Sequence, residues 1–218
     1  MVLIILINGF NTFPVYTSLE NIHENIDVII DFSNPALTMP LLDYAVKNHI
    51  PMVIATTGFS DNQLQKIQLA SKYVSIFQSY NMSYTINLMK RIVSLIALSL
   101  DNIDIEILET HHNNKVDAPS GTAILLADSI NSALGSSMKY VYNRNSQSQK
   151  RSKNEIGISS IRGGNIIGEH SVLFFGPYET LEIKHSSYSR NVFVQGALKA
   201  ATFIIEQPNG LYNMDNLD

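Results

Sequence analysis

The sequence contains no cysteine. That one absence removes disulfide scaffolds, thiolate metal sites and cysteine nucleophiles, and it suits a reducing cytoplasm. Basic charge is also scarce: 15 Lys and Arg stand against 19 Asp and Glu for a net charge of -4, and they cluster nowhere beyond Lys150-Arg151-Ser152-Lys153. Such a chain has no electrostatic footprint for gripping nucleic-acid backbones. Long apolar runs are missing as well. Met1 to Ile7 is apolar, but no basic residues precede it and no small-residue cleavage site follows, so it reads as a buried strand. The helical stretch Met82 to Leu100 carries Lys90 and Arg91 in its middle, short of the ~20 uninterrupted apolar residues of a membrane span. These absences together lead us to expect a soluble cytoplasmic protein with no nucleic-acid or membrane partner.

What remains is enough for a large core: 218 residues, 45% hydrophobic and 16% charged. Val2 to Ile7, Asp27 to Phe32, Met52 to Ala55 and Tyr73 to Phe77 are short apolar, β-branched runs, and amphipathic stretches separate the later ones. Buried strands alternating with helices imply a parallel sheet covered on both faces. Ser33-Asn34-Pro35 is a helix start, a capping residue followed by proline at the first helical position. Pro40 predicts a late start or a kink. In Met82 to Leu100, Ile86, Met89, Val93, Ile96 and Leu100 fall at spacings of three and four, one face of a helix capped by Asn81 or Ser83.

From Ile103 the texture changes. A helix is predicted over Ala123 to Leu134, a mobile surface loop over the Ser-, Asn-, Gln- and Lys-rich Ser136 to Asn154, and strands over Ile156 to Ile161, Ile166 to Phe175 and Thr180 to His185. With no helices between them, those strands belong to an antiparallel or mixed sheet. Asn191 to Glu206 is helical again. The predicted architecture is α/β, a shortened Rossmann-like domain over 1–102 and 191–218, interrupted by an α+β domain over 103–190.

In a parallel sheet the ligand crevice lies at the carboxyl ends of the strands. Three such ends are Asp31-Phe32-Ser33-Asn34, Thr56-Thr57-Gly58 and Ser79-Tyr80-Asn81-Met82-Ser83. They suit a polar or anionic ligand, although the same residue types serve equally as caps. The densest reactive stretch is Glu109-Thr110-His111-His112-Asn113-Asn114-Lys115-Val116-Asp117-Ala118-Pro119-Ser120-Gly121-Thr122-Ala123. An imidazole near an ammonium supplies a donor and a proton store near neutral pH. Ser120-Gly121-Thr122 opens a helix whose first N–H groups would face an anion, and Gly121 lets that anion approach the backbone. Each fragment alone also reads as a strand end or a capped turn. Zinc on His111, His112, Asp117, His170 and His185 is a further alternative, opposed by the opposite faces of adjacent strand residues and by the lack of any His-x-x-x-His spacing.

That stretch resembles the signature of the 4-hydroxy-tetrahydrodipicolinate (dihydrodipicolinate) reductases of the diaminopimelate and lysine pathway. Val28-Ile29-Ile30-Asp31-Phe32-Ser33, Val53 to Phe59, Asn81-Met82-Ser83, Ile161 to His170 and Gly210-Leu211-Tyr212 follow the family too, so the match runs from about Val15 to Leu217. The resemblance implies that His111 is the catalytic histidine and Lys115 the proton donor. It implies that His112, Gly121 and Thr122 bind a cyclic dicarboxylate substrate. It assigns NADH or NADPH contacts to Ala55, Thr56 and Thr57 and to Tyr80, Asn81, Met82 and Ser83, includes no metal, and implies a homotetramer built through the strands between Ile156 and His185.

The resemblance also has gaps. Family members open with a Gly-x-x-Gly-x-Met-Gly loop, a helix and a second strand, whereas here Asn8-Gly9-Phe10-Asn11-Thr12-Phe13-Pro14-Val15-Tyr16 carries one glycine. Positions 8–27 hold one crossover, with Leu19 to Ile26 as a short helix, but not the helix and strand besides. Tyr80 stands where the family has a small residue and Thr85 where it has glycine. Weakened cofactor binding follows from these departures. The alternative is an inactive homologue that keeps a dicarboxylate pocket and an oligomer interface.

Overall fold

The computed structural model describes residues 14–144 and 150–217. The strand expected at Val2 to Ile7 lies outside them. Two compact units emerge: the described residues of Met1–Ser83 with those of Asn191–Asp218, and Tyr84–Arg190.

In the first unit, β1 (Ile29–Asp31), β2 (Met52–Ile54), β3 (Ser75–Gln78) and β9 (Gly210–Tyr212) form a parallel sheet in the order β1-β2-β3-β9. All residues of β1 and β2 are buried, which is why the strands read as unbroken apolar runs. Helix α1 (Pro35–Asn48) begins where its cap predicts: the Asn34 side chain accepts from the N–H groups of Ala36 and Leu37. The expected late start is not found. The helix runs through Pro40, giving up the hydrogen bond that an N–H there would donate to the Ala36 carbonyl. Helix α2 (Asp61–Ala70) is opened by a Ser60–Gln63 capping box, and α5 (Asn191–Ile204) packs on β1, β2 and β3. Of the helix expected over Leu19 to Ile26, only a 3-10 turn at Leu19–Asn21 forms; the Asn, His and β-branched Ile that follow are weak helix formers.

The second unit contains α3 (Tyr84–Ser99), β4 (Asp104–His111), α4 (Gly121–Ala133), β5 (Lys139–Tyr142), β6 (Glu155–Arg162), β7 (Gly168–Phe175) and β8 (Thr180–Ser187). Its mixed sheet has the order β5-β6-β4-β7-β8, with β5, β6 and β4 parallel and β7 and β8 antiparallel to their neighbours. Helix α3 belongs here, so the chain divides at Ser83 rather than after residue 102. Its stripe of Ile86, Met89, Val93 and Ala97 joins one core with Ile105, Ile107, Leu126, Ile130, Ile156 and Phe174, and Ser94 Oγ meets Ser129 Oγ of α4 at 2.6 Å. The segment expected to be a mobile loop holds β5, whose Lys139-Tyr140-Val141-Tyr142 alternation is masked by polar flanks. Arg151 is no phosphate grip: its guanidinium donates to Asp104, Glu106 and the carbonyls of Ile105 and Glu155. Among the described residues no helix is long and apolar enough to cross a membrane.

Candidate active site

Successive strand residues face opposite sides of a sheet. Ile105, Ile107, Glu109 and His111 therefore share the inward face of β4, which changes from apolar to polar halfway along. The neighbours change at the same level. Register sets Ile107 against Ile158 and Val172, Glu109 against Ser160 and His170, and His111 against Arg162. The apolar half carries α3 and α4, and the polar half meets the first turn of α4.

Glu109 is the centre of this polar half, with 0% exposure. Its Oε1 accepts from Arg162 Nη2 at 2.7 Å and from the Ser120 N–H at 3.1 Å. Its Oε2 accepts from Arg162 Nη1 at 2.8 Å and meets His111 Nδ1 at 2.5 Å. Burial pushes this carboxyl up, but hydrogen bonds from Arg162, Ser160 and His111, with the guanidinium charge, outweigh it and hold the pKa at about 2. His111 is pushed below its ordinary value, first by burial and then by the charges of Lys115 and Arg162, against the pull of Glu109. An anionic Glu109 accepts at Nδ1, so that nitrogen carries the proton and Nε2 the lone pair. Nε2 lies beside Gly168, where a methyl group would come within 3.0 Å.

Ser120 caps α4, its Oγ accepting from the Ala123 N–H at 3.1 Å and meeting His170 Nε2 at 2.8 Å. His170 packs edge-on against His111 with ring centroids 5.2 Å apart. Burial above all, then the His111 charge, lowers its pKa to about 3. The ring is neutral at physiological pH.

The structure thus brings together His111, Lys115, Gly121 and Thr122 of the expected residues in one unit. Gly121 and Thr122 form the opening turn of α4, and open space lies where a Cβ would stand on Gly121. Lys115 donates to both carboxylate oxygens of Asp117, at 2.7 and 2.9 Å, rather than to His111. The ammonium lowers the Asp117 pKa in return. His112 follows the end of β4, half-buried, and its carbonyl accepts from the Lys115 N–H. Among the described residues no group of three His, Asp or Glu side chains is arranged to hold a metal ion. Sequence reading gave no catalytic or positioning role to Glu109 or Arg162, and named His170 only as a zinc alternative. Glu109 carries a signal, two residues before His111 on the same strand face. Arg162 and His170 fall in the Ile161 to His170 stretch that resembles the family, but only β-sheet register brings them to Glu109 and His111.

The expected cofactor residues lie in the first unit, at the carboxyl ends of its parallel strands. The Ala55 N–H donates to the Asp31 carbonyl, and Thr56, 3% exposed, gives its hydroxyl to Asp31 Oδ2 at 3.0 Å, leaving its backbone as the presented group. Thr57 is exposed, and Gly58 turns the chain at φ +85° with open space where a Cβ would stand. In the next turn Asn81 Oδ1 accepts from the Ser83 N–H at 2.8 Å, and Met82 and Ser83 are buried. Tyr80 projects outward at 61% exposure instead of filling the turn, and the Thr85 hydroxyl meets His185 Nε2 at 2.9 Å.

Residues 4–82 match the family described as dihydrodipicolinate reductase, N-terminus, and residues 85–217 match dihydrodipicolinate reductase, C-terminus. A 4-hydroxy-tetrahydrodipicolinate reductase from Caldanaerobacter subterraneus subsp. tengcongensis is 50% identical over 94% of this chain and 82% of its own length. One from Brachyspira hyodysenteriae is 52% identical over 88% of this chain and 83% of its own. Among solved structures, a dipicolinate-bound dihydrodipicolinate reductase from Paenisporosarcina sp. TG-14 superposes with a TM-score of 0.77 at 27% identity, covering 96% of this chain and 82% of that one. With both parts of its described length matched in order and its relatives near half identical, the chain belongs to the dihydrodipicolinate reductase family.

Proposed function

We propose that this protein reduces 4-hydroxy-tetrahydrodipicolinate with NADH or NADPH. The observation that carries the reading is the cluster at the polar end of the mixed sheet: an oriented imidazole, an ammonium and a helix start, all within the Tyr84–Arg190 unit. In the overall change the ring loses its hydroxyl as water and takes up one hydride and one proton. A bound nicotinamide supplies the hydride. The chain supplies the rest. The opening N–H groups of α4 at Gly121 and Thr122 favour a ring carboxylate by direct donation and by the positive end of the helix dipole. His112, half-buried just after β4, suits the second polar edge of the substrate. Lys115, held by its hydrogen bonds to Asp117, delivers the proton to the carbon left electron-rich by hydride addition, and neutral His111 stores and returns that proton through Nε2.

The cofactor fits the first unit by its architecture. The turns Ala55-Thr56-Thr57 and Tyr80-Asn81-Met82-Ser83 lie at the strand ends where α/β sheets hold ligands. Gly58 leaves the backbone open there, Tyr80 points its ring to solvent, and the Thr85 hydroxyl is held by His185. A homotetramer through the mixed sheet accompanies this reading. Leu108, Ile161 and Phe175 are 36%, 47% and 38% exposed on the face turned away from α3 and α4, an apolar surface that a second copy would cover.

Turnover of the pathway intermediate with each cofactor tests the function, and saturation gives the preference. Neither binding nor turnover at millimolar NADH and NADPH would leave the inactive homologue. His111→Ala and Lys115→Ala are each expected to lower turnover by roughly 100-fold or more with the melting temperature little changed; parental rates in both would sink the assigned roles. Light scattering reads the tetramer, and a monomer rejects it.

A further inference from the structure

We propose that Glu109, neutralised by Arg162, is a positioning residue that joins the acid–base histidine to the anion-binding helix start. The proposal rests on the reductase reading for its kinetic tests, but its geometry stands alone.

A carboxylate taken fully out of water costs several kcal/mol unless every lone pair is matched. Here the bonds from Arg162, His111, the Ser120 N–H and the Ser160 side chain fill both oxygens, so the group cannot rotate without breaking one. Two of those bonds lead to different parts of the site. One fixes the His111 ring through Nδ1. The other fixes the Ser120 peptide, immediately before the Gly121 and Thr122 amides, while the Ser120 hydroxyl caps the same helix. A shift of one carboxylate therefore displaces both the proton store and the anion cradle.

Arg162 has a separate task. A lone buried carboxylate would draw a proton onto His111 and hold it there as imidazolium. The bidentate guanidinium cancels that charge, so His111 keeps a neutral ring and a usable Nε2 lone pair. The charged and titratable groups around this ring are Glu109 on β4, Arg162 on β6, His170 on β7 with His185 behind it on β8, and Lys115 and Asp117 on the loop. Burial above all lowers the His111 pKa, Glu109 pulls it up, and the charges of Lys115 and Arg162 push it further down.

Glu109→Gln and Arg162→Gln should therefore move the acid limb of the kcat/KM profile in opposite directions, the first to lower pH and the second to higher. A residue that merely stabilised the fold would move neither. Glu109→Gln should also lower kcat by roughly 30-fold or more and weaken dipicolinate binding, read by calorimetry, because the Ser120 bond is disturbed. Arg162→Lys keeps the charge and should restore most of the profile. Long-range nitrogen–proton NMR on histidine-labelled protein should show His111 as the Nδ1-protonated tautomer, lost in Glu109→Gln. If Glu109→Gln does not fold, the two Arg162 variants and the wild-type tautomer carry the test. An unmoved profile in a working enzyme, or an Nε2-protonated His111, overturns the proposal. A wild type without turnover refutes the reductase reading instead, and the tautomer and dipicolinate arms still judge the positioning.

Discussion

Two buried carboxylates anchor the two units, and their partners differ in kind. Asp31, 2% exposed, accepts from the Ser33 N–H at 2.9 Å, the Ser33 hydroxyl at 2.5 Å, the Thr38 hydroxyl at 2.5 Å and the Thr56 hydroxyl at 3.0 Å. Glu109 accepts from a guanidinium, an imidazole, the Ser160 side chain and one N–H group. Hydroxyls are neutral donors that rotate to suit, so the Asp31 network braces the loops at the ends of β1 and β2 without involving another ionisable group. Around Glu109 two of the partners, Arg162 and His111, can carry charge, and a proton gained or lost by one is felt by the rest. The same solution to a burial problem is structural scaffolding in one unit and a means of setting protonation in the other.

Truncation gives the widest separation between the two. Glu109→Ala leaves Arg162 facing a void and should cost about 3 kcal/mol or more, whereas Asp31→Asn keeps an acceptor that the hydroxyls can reorient around and should cost about 1–3 kcal/mol. Denaturant unfolding measures both, and equal losses would erase the distinction. Acid titration probes the charge-coupled network next. Burial keeps His170 neutral down to about pH 3, while the unfolded chain takes up a proton near 6.5. Its contribution is thus complete above about pH 6.5 and is lost as pH falls toward 3, at up to about 1.4 kcal/mol per pH unit. His170→Gln should flatten that limb; an unchanged slope would assign acid sensitivity elsewhere. The smallest expected effect comes from Gly168→Ala. A methyl group 3.0 Å from His111 Nε2 should lower kcat several-fold by tilting the ring, with stability changed by less than about 1 kcal/mol. A parental kcat would mean that the ring position there is unimportant.

Much of this arrangement was legible from local chemistry. Asn34 and Pro35 announced α1, and Ser120 and Gly121 announced α4, because capping needs only neighbours a few residues away. Apolar spacing located α3 to within two residues at each end, although not the unit it belongs to, since its stripe does not say which surface it will meet. Polar flanks hid β5, and Leu19 to Ile26 offered apolar residues without the propensity to stay helical. In the site, the run from Glu109 to Thr122 pointed to His111, Lys115 and the helix start. The places of Arg162 and His170 in the site, 51 and 59 positions beyond His111, appeared only when pairing of β4 with β6 and β7 set Arg162 opposite His111 and His170 opposite Glu109.

The order of residues alone therefore determined most of the elements, the family and the stretch of chain holding the reactive groups, because caps, periodicity and motif spacing are short-range properties. Tertiary structure alone decided which nitrogen of His111 holds its proton and why Glu109 stays charged. Those depend on the distance and charge of groups that only sheet register and burial bring together.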